Sequence, residues 1–153
     1  MKRRSPSRAE PTSGGTSDAV ESALRSLRHR DRSAAQIDDQ LAARGVSEDE
    51  RVEALATLAR TGLVDDRRFA ETRAEQLADR GAGNAFIRHD LSRAGVDAEL
   101  VEYALSALES ERQRAERIVT RRGPGAKTAR YLAGKGFSDD VIHTVVARAG
   151  DDA

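Results

Sequence analysis

Three stretches of this chain, "QLAARGVSEDE", "DLSRAGVDAEL" and "YLAGKGFSDDV", share one pattern: Leu, three residues, Gly, an apolar residue, then Ser or Asp. The copies are Leu41-Gly45-Val46-Ser47, Leu91-Gly95-Val96-Asp97 and Leu132-Gly136-Phe137-Ser138. A recurring supersecondary signal narrows the possible folds more than composition does. Glycine just past a helix end can adopt the left-handed conformation that closes a Schellman turn, in which the Leu and the apolar residue after Gly touch. Ser47, Asp97 and Ser138 then stand where the next helix needs an N-cap, each worth ~1 kcal/mol. Glu50 is placed to complete a capping box with Ser47. Each copy therefore reads as helix, tight turn, helix.

The pattern extends both ways. Four residues before each Leu stand Ile37, Ile87 and Thr128, and apolar residues return downstream at helical spacing (Val52, Leu55, Leu58; Val101, Ala104, Leu105, Leu108; Val141, Ile142, Val145, Val146). A further helix precedes each pair, at about 19–30, 65–80 and 109–122. The fold expected is all-α: three tandem three-helix repeats over 19–62, 63–108 and 109–153, forming an elongated, curved body. Units this small bury too little alone and lean on their neighbours. Residues 1–18, rich in Pro, Ser, Gly and Thr, are expected to be a disordered tail.

Composition excludes several chemistries. With three Phe, two Tyr and no Trp, the core must come mostly from Ala, Leu and Val. There is no cysteine, hence no disulfide, thiolate zinc site or thiol nucleophile. His29, His89 and His143 are dispersed and suggest neither a metal set nor a catalytic base, so no cofactor is expected. Basic and acidic residues balance at 26 each, against strong non-specific adhesion to nucleic acid. No apolar run approaches the ~18 residues a membrane span requires. A cytoplasmic monomer is the expectation.

"GLVDDRRFA", residues 62–70, sets Asp65 and Asp66 beside Arg67 and Arg68. Gly62 ends the preceding helix, Asp65 falls at an N-cap, and Asp66 lies in the first turn, where the helix dipole favours a carboxylate. Val64 and Phe69 are spaced as a hydrophobic staple. A catalytic carboxylate pair faces across a cleft in unlike environments. Adjacent residues at a helix start do not, so no catalytic residue is assigned.

This stretch, continuing through "AEQLADRGAGNAFIRHDLSRAGVDAELVEYAL", resembles the central signature of the RecX family, regulators of the RecA recombinase. Leu63, Asp65, Asp66, Arg68, Phe69 and Ala70 match that signature, as do Arg80-Gly81, Ile87, Leu91, Gly95 and Val96. Arg32-Ser33 resembles the family's entry into its first repeat, and Thr128 departs from its usual aliphatic. The resemblance covers about residues 19–148. It implies three tandem three-helix repeats, and a non-enzymatic protein that lies in the RecA filament groove. There it would block strand exchange, ATP turnover and coprotease function by occlusion.

Charge separates the repeats. Residues 112–135 hold Arg112, Arg114, Arg117, Arg121, Arg122, Lys127, Arg130 and Lys135 against Glu116 alone, a net +7. Arg114, Arg117 and Arg121 share one helix face at i, i+3, i+7, and "RRGPGAK" makes a basic corner. These eight residues are the candidate partner-binding set, suited to an acidic protein groove or, weakly, to single-stranded DNA. The alternative reading is a helix-turn-helix DNA-binding module. Against it, Glu48, Asp49, Glu50, Asp139 and Asp140 crowd the starts of helices that would have to enter a groove.

Overall fold

The computed structural model describes residues 15–152, which form nine α-helices and no strand. These are α1 (Gly15–Leu27), α2 (Ala34–Ala43), α3 (Glu48–Arg60), α4 (Asp66–Asp79), α5 (Asn84–Arg93), α6 (Ala98–Ala107), α7 (Glu111–Arg122), α8 (Ala126–Gly134) and α9 (Asp139–Asp151). Two compact units divide them: residues 15–32 with 37–64, and residues 33–36 with 65–152. In the first unit α1 packs on α3. In the second, α4, α5 and α6 form one mutually packed triplet and α7, α8 and α9 another.

The tail expected at 1–18 lies mostly outside the described residues. Its last four residues open α1, which runs Gly15–Leu27 in place of 19–30. Asp18 occupies the favoured first turn of that helix, and the Thr16 hydroxyl donates to Glu53 of α3 at 3.2 Å.

All three repeated turns close as Schellman motifs. Val46, Val96 and Phe137 donate their N–H to Leu41, Leu91 and Leu132 carbonyls, while Gly45, Gly95 and Gly136 bond three residues back. The glycines have φ of 82°, 78° and 91°, a region costly for any residue with a Cβ. Ser47 and Ser138 cap as the pattern requires, accepting from the Glu50 and Val141 N–H groups. Asp97 holds the same position without a side-chain cap bond, and the Glu50 carboxylate lies beside Gly15 in α1 instead of completing the capping box. A full capping box does form at Ser33 and Gln36: Ser33 N–H donates to Gln36 Oε1 at 3.1 Å, and Gln36 N–H to Ser33 Oγ at 3.2 Å.

Small residues make the first unit's core: Ala19, Ala23 and Ala54 are buried with Ile37, Leu41 and Leu58. Val52, read from its spacing as an inward residue, is 62% exposed, because periodicity fixes a face but not its width. The second unit holds one cluster around Phe69, Ile87, Leu91 and Val101 and another around Ile118, Leu132, Phe137 and Val145. Thr128 stands where the repeat calls for an aliphatic and is buried. Its Oγ1 donates to the Gly123 carbonyl at 2.7 Å, so the hydroxyl is satisfied and the Gly-Pro-Gly corner is held at one end.

The two triplets of the second unit lock through the exposed backbone of a helix start. The first N–H groups of any helix lack partners within it. At α5, Gly83 N–H donates to the Lys135 carbonyl (2.8 Å), Ala85 N–H to the Gly136 carbonyl (3.1 Å), and Asn84 N–H to Glu111 Oε1 (2.9 Å). Glu111 Oε2 also accepts from Ser138 (3.1 Å). The approach is so close that a Cβ at Gly83 would collide with the Gly136 backbone. The start of α2 is treated alike. Ala34 N–H donates to Asp66 Oδ1 (2.8 Å), Ser33 Oγ donates to the Ala94 carbonyl (2.5 Å), and a Cβ at Gly95 would strike Ala35.

Candidate partner-binding surface

Helix α7 begins at Ser110, which accepts from the Gln113 N–H, so it starts two residues later than its apolar pattern implies. Its first arginine on the shared face, Arg114, is 7% exposed. The guanidinium donates to the carbonyls of Glu109 (3.0 Å) and Ala82 (2.7 Å) and to Asn84 Oδ1, and it lies 5.9 Å from the Phe137 ring centre. Burial pushes its pKa below the usual arginine value, partly countered by Glu111. Arg114 thus tethers one triplet to the other, its donors engaged by the Glu109 and Ala82 carbonyls and by Asn84.

Two more cations are neutralised nearby. Arg112 pairs with Glu116 at 2.9 Å, one helical turn on, and Arg117 pairs with Glu109. Glu109 lies just outside the window over which the net +7 was counted, so that sum overstates the free charge. Arg122 lays its guanidinium 3.7 Å over the Tyr131 ring, a cation–π contact that leaves its charge intact.

Among the described residues no carboxylate pairs with Arg121, Arg122, Lys127, Arg130 or Lys135. The first four are exposed and Lys135 is half-buried. Arg114, Arg117 and Arg121 do converge, lining a cleft of about 450 Å³ with Asp79, Gly81 and Phe137. Arg121 and Arg122 border an adjoining cleft of about 320 Å³ with Arg80 and Tyr131. The surface is therefore a basic ridge over the end of α7 and the outer side of α8, interrupted by the GPG corner.

The signature residues fall elsewhere. Asp65 Oδ1 accepts from the Arg68 N–H (3.1 Å) and Asp66 caps α2 as described, while Phe69 and Ala70 are buried. Leu63 and Arg68 are exposed. Tyr103 is 44% exposed beneath the Arg67 guanidinium, 4.4 Å from the ring centre. Among the described residues no three His, Asp or Glu side chains gather as a metal set, and no helix is long and apolar enough to cross a membrane.

Residues 65–105 match the family profile described as RecX, second three-helix domain. The chain is 32% identical over 143 residues to a regulatory protein RecX of Stenotrophomonas maltophilia strain R551-3, covering 87% of this chain and 88% of that one. It is 34% identical over 139 residues to a regulatory protein RecX of Chromohalobacter salexigens, covering 85% and 91%. Among solved structures, a crystal structure of RecX from Lactobacillus salivarius superposes with a TM-score of 0.77 at 24% identity, covering 89% of this chain and 97% of that one. That likeness shows the fold.

Proposed function

The chain belongs to the RecX family, and from that premise we propose that it is a cytoplasmic regulator that binds the RecA nucleoprotein filament and restrains it by occlusion. The observation that carries this reading is the ridge of Arg121, Arg122, Lys127, Arg130 and Lys135, left without acidic partners among the described residues in a chain of zero net charge. Guanidiniums held near Tyr131 and ammonium groups on a short helix suit a groove lined by carboxylates, where complementary charge steers encounter. The protein would act by contact alone: occupying the groove denies it to a second DNA strand and hinders the protomer motions that accompany ATP turnover. The curated relatives are named regulatory proteins, in keeping with a role that makes and breaks no bond.

A helix-turn-helix mode on duplex DNA is the weaker reading. Glu48, Asp49 and Glu50 open α3, and Asp139 and Asp140 open α9, placing carboxylates where phosphates would have to approach. The test reverses charge at Arg121, Lys127 and Arg130 together and measures inhibition of RecA-driven ATP hydrolysis, after circular dichroism shows unchanged helicity. Inhibition should fall sharply. Full inhibition at low salt would remove the ridge from the binding surface, and loss of duplex DNA binding with inhibition intact would favour the second reading.

A further inference from the structure

The first unit carries a second cationic feature, formed by residues scattered along the sequence. Arg25 and Ser26 in the last turn of α1, His29 and Arg32 in the segment after it, Gln40 of α2 and Arg44 in the turn just past α2 line a cleft of about 500 Å³. Among the described residues no carboxylate lines it. Two of its polar groups are held by side chains of the same unit. Ser26 Oγ donates to Gln40 Oε1 at 2.7 Å, which uses the amide oxygen and leaves the amide N–H groups to the cleft. Arg44 bonds a neutral hydroxyl, Ser22 Oγ, and so keeps its full charge.

Arg32 is the most telling member. Its Nε is buried without a hydrogen-bond partner, alone in this among the buried side-chain nitrogens and oxygens of the described residues. A buried unpaired donor on a charged group is costly unless something supplies an acceptor. Burial, and then repulsion from Arg30, also push the Arg32 pKa below the usual arginine value, the direction a nearby anion would reverse.

We propose that this cleft is a phosphate-binding site, which takes phosphate groups and does not read the base attached to them. Three guanidiniums carry fixed positive charge and many donors into the cleft, and the Gln40 amide N–H groups add to them, the complement of a tetrahedral anion rich in acceptors. No aromatic ring lines the cleft, so a base finds no stacking platform. The volume exceeds that of one bare phosphate and admits a pyrophosphate or a nucleotide's phosphate chain. The site stands on its own residues and does not depend on the filament reading.

The experiment is titration calorimetry on the full chain with inorganic pyrophosphate, ATP and a short oligothymidylate as separate probes. Arg32→Gln/Arg44→Gln is compared with Arg28→Gln/Arg60→Gln, which removes equal charge outside the lining. The cleft variant should weaken binding by about tenfold per lost guanidinium, while the control stays close to the parent. Tighter binding of pyrophosphate and ATP would identify a free nucleotide as the source, and tighter binding of the oligonucleotide a strand. Equal losses in the two variants, or no binding of any probe, would overturn the proposal. Should Arg32→Gln/Arg44→Gln misfold by circular dichroism, Arg25→Gln/His29→Gln serves the same comparison.

Discussion

A guanidinium presents five donors in a rigid fork, and Arg114 uses that fork on groups that are otherwise hard to satisfy. The Ala82 and Glu109 carbonyls and Asn84 all sit where chain segments meet. Arg114→Ala would leave buried acceptors unpaired and lower stability by about 3 kcal/mol in urea unfolding. Arg114→Lys should rescue little, since an ammonium cannot bridge three acceptors in a plane. Arg121→Ala, at the exposed end of the same face, should change stability by no more than ~0.5 kcal/mol. Similar costs at the two positions would contradict the division between tether and free cation. A second residue-scale effect concerns acid. Hydrogen bonds from Arg73 (2.8 and 3.0 Å) hold the Asp90 carboxyl below the usual carboxylate range, while partial burial pushes the other way. A folded-state value below the unfolded one means the pair stabilises at pH above the ordinary Asp value near ~3.9 and is lost as pH falls through the folded value. Asp90→Asn should therefore flatten the acid limb of a stability–pH profile and leave its shape near neutrality unchanged. An unaltered acid limb would show that the ion pair is not coupled to folding.

At the scale of elements, each repeated turn answers two demands that look alike in sequence. Gly45 and Gly136 both need positive φ, at 82° and 91°. A Cβ at Gly45 would meet nothing, whereas one at Gly136 would lie 2.7 Å from the Phe86 nitrogen. Gly45→Ala should cost only the conformational penalty, ~1–2 kcal/mol. Gly136→Ala should cost distinctly more and weaken the docking of α8 and α9 on α5, read as faster hydrogen exchange at Gly83 and Ala85. Equal penalties would mean the close approach is not maintained in solution. This also marks what was legible beforehand. Turn chemistry is local, so the Schellman closures, the Ser47 and Ser138 caps and the α4 start at Asp65 could be read from a few consecutive residues. The second role of Gly136 could not, because its neighbour Phe86 is fifty residues away in the chain.

At the scale of the whole molecule, the same rule separates what the sequence disclosed from what it concealed. The all-helical repeat rests on short-range periodicity and was readable, along with the basic character of residues 112–135. The apportioning of that charge was not. Arg114 is claimed by residues about 30 positions away, Glu109 neutralises Arg117 from beyond the helix start, and Asp66 turns out to serve the start of α2. The basic cleft of the first unit was equally hidden, since its arginines come from α1, the segment after it and the turn just past α2. What survives as the candidate surface is a smaller set than the eight residues named from sequence, and it gives the functional account a sharper test. Binding of fluorescently labelled chain to RecA filaments on single-stranded DNA should be followed by anisotropy across a salt series. The parent is compared with Arg121→Glu/Lys127→Glu/Arg130→Glu. The account predicts that parent affinity falls as salt screens the contact, and that the variant binds more weakly with a shallower salt dependence. Equal affinity and equal salt dependence of the two proteins would contradict it.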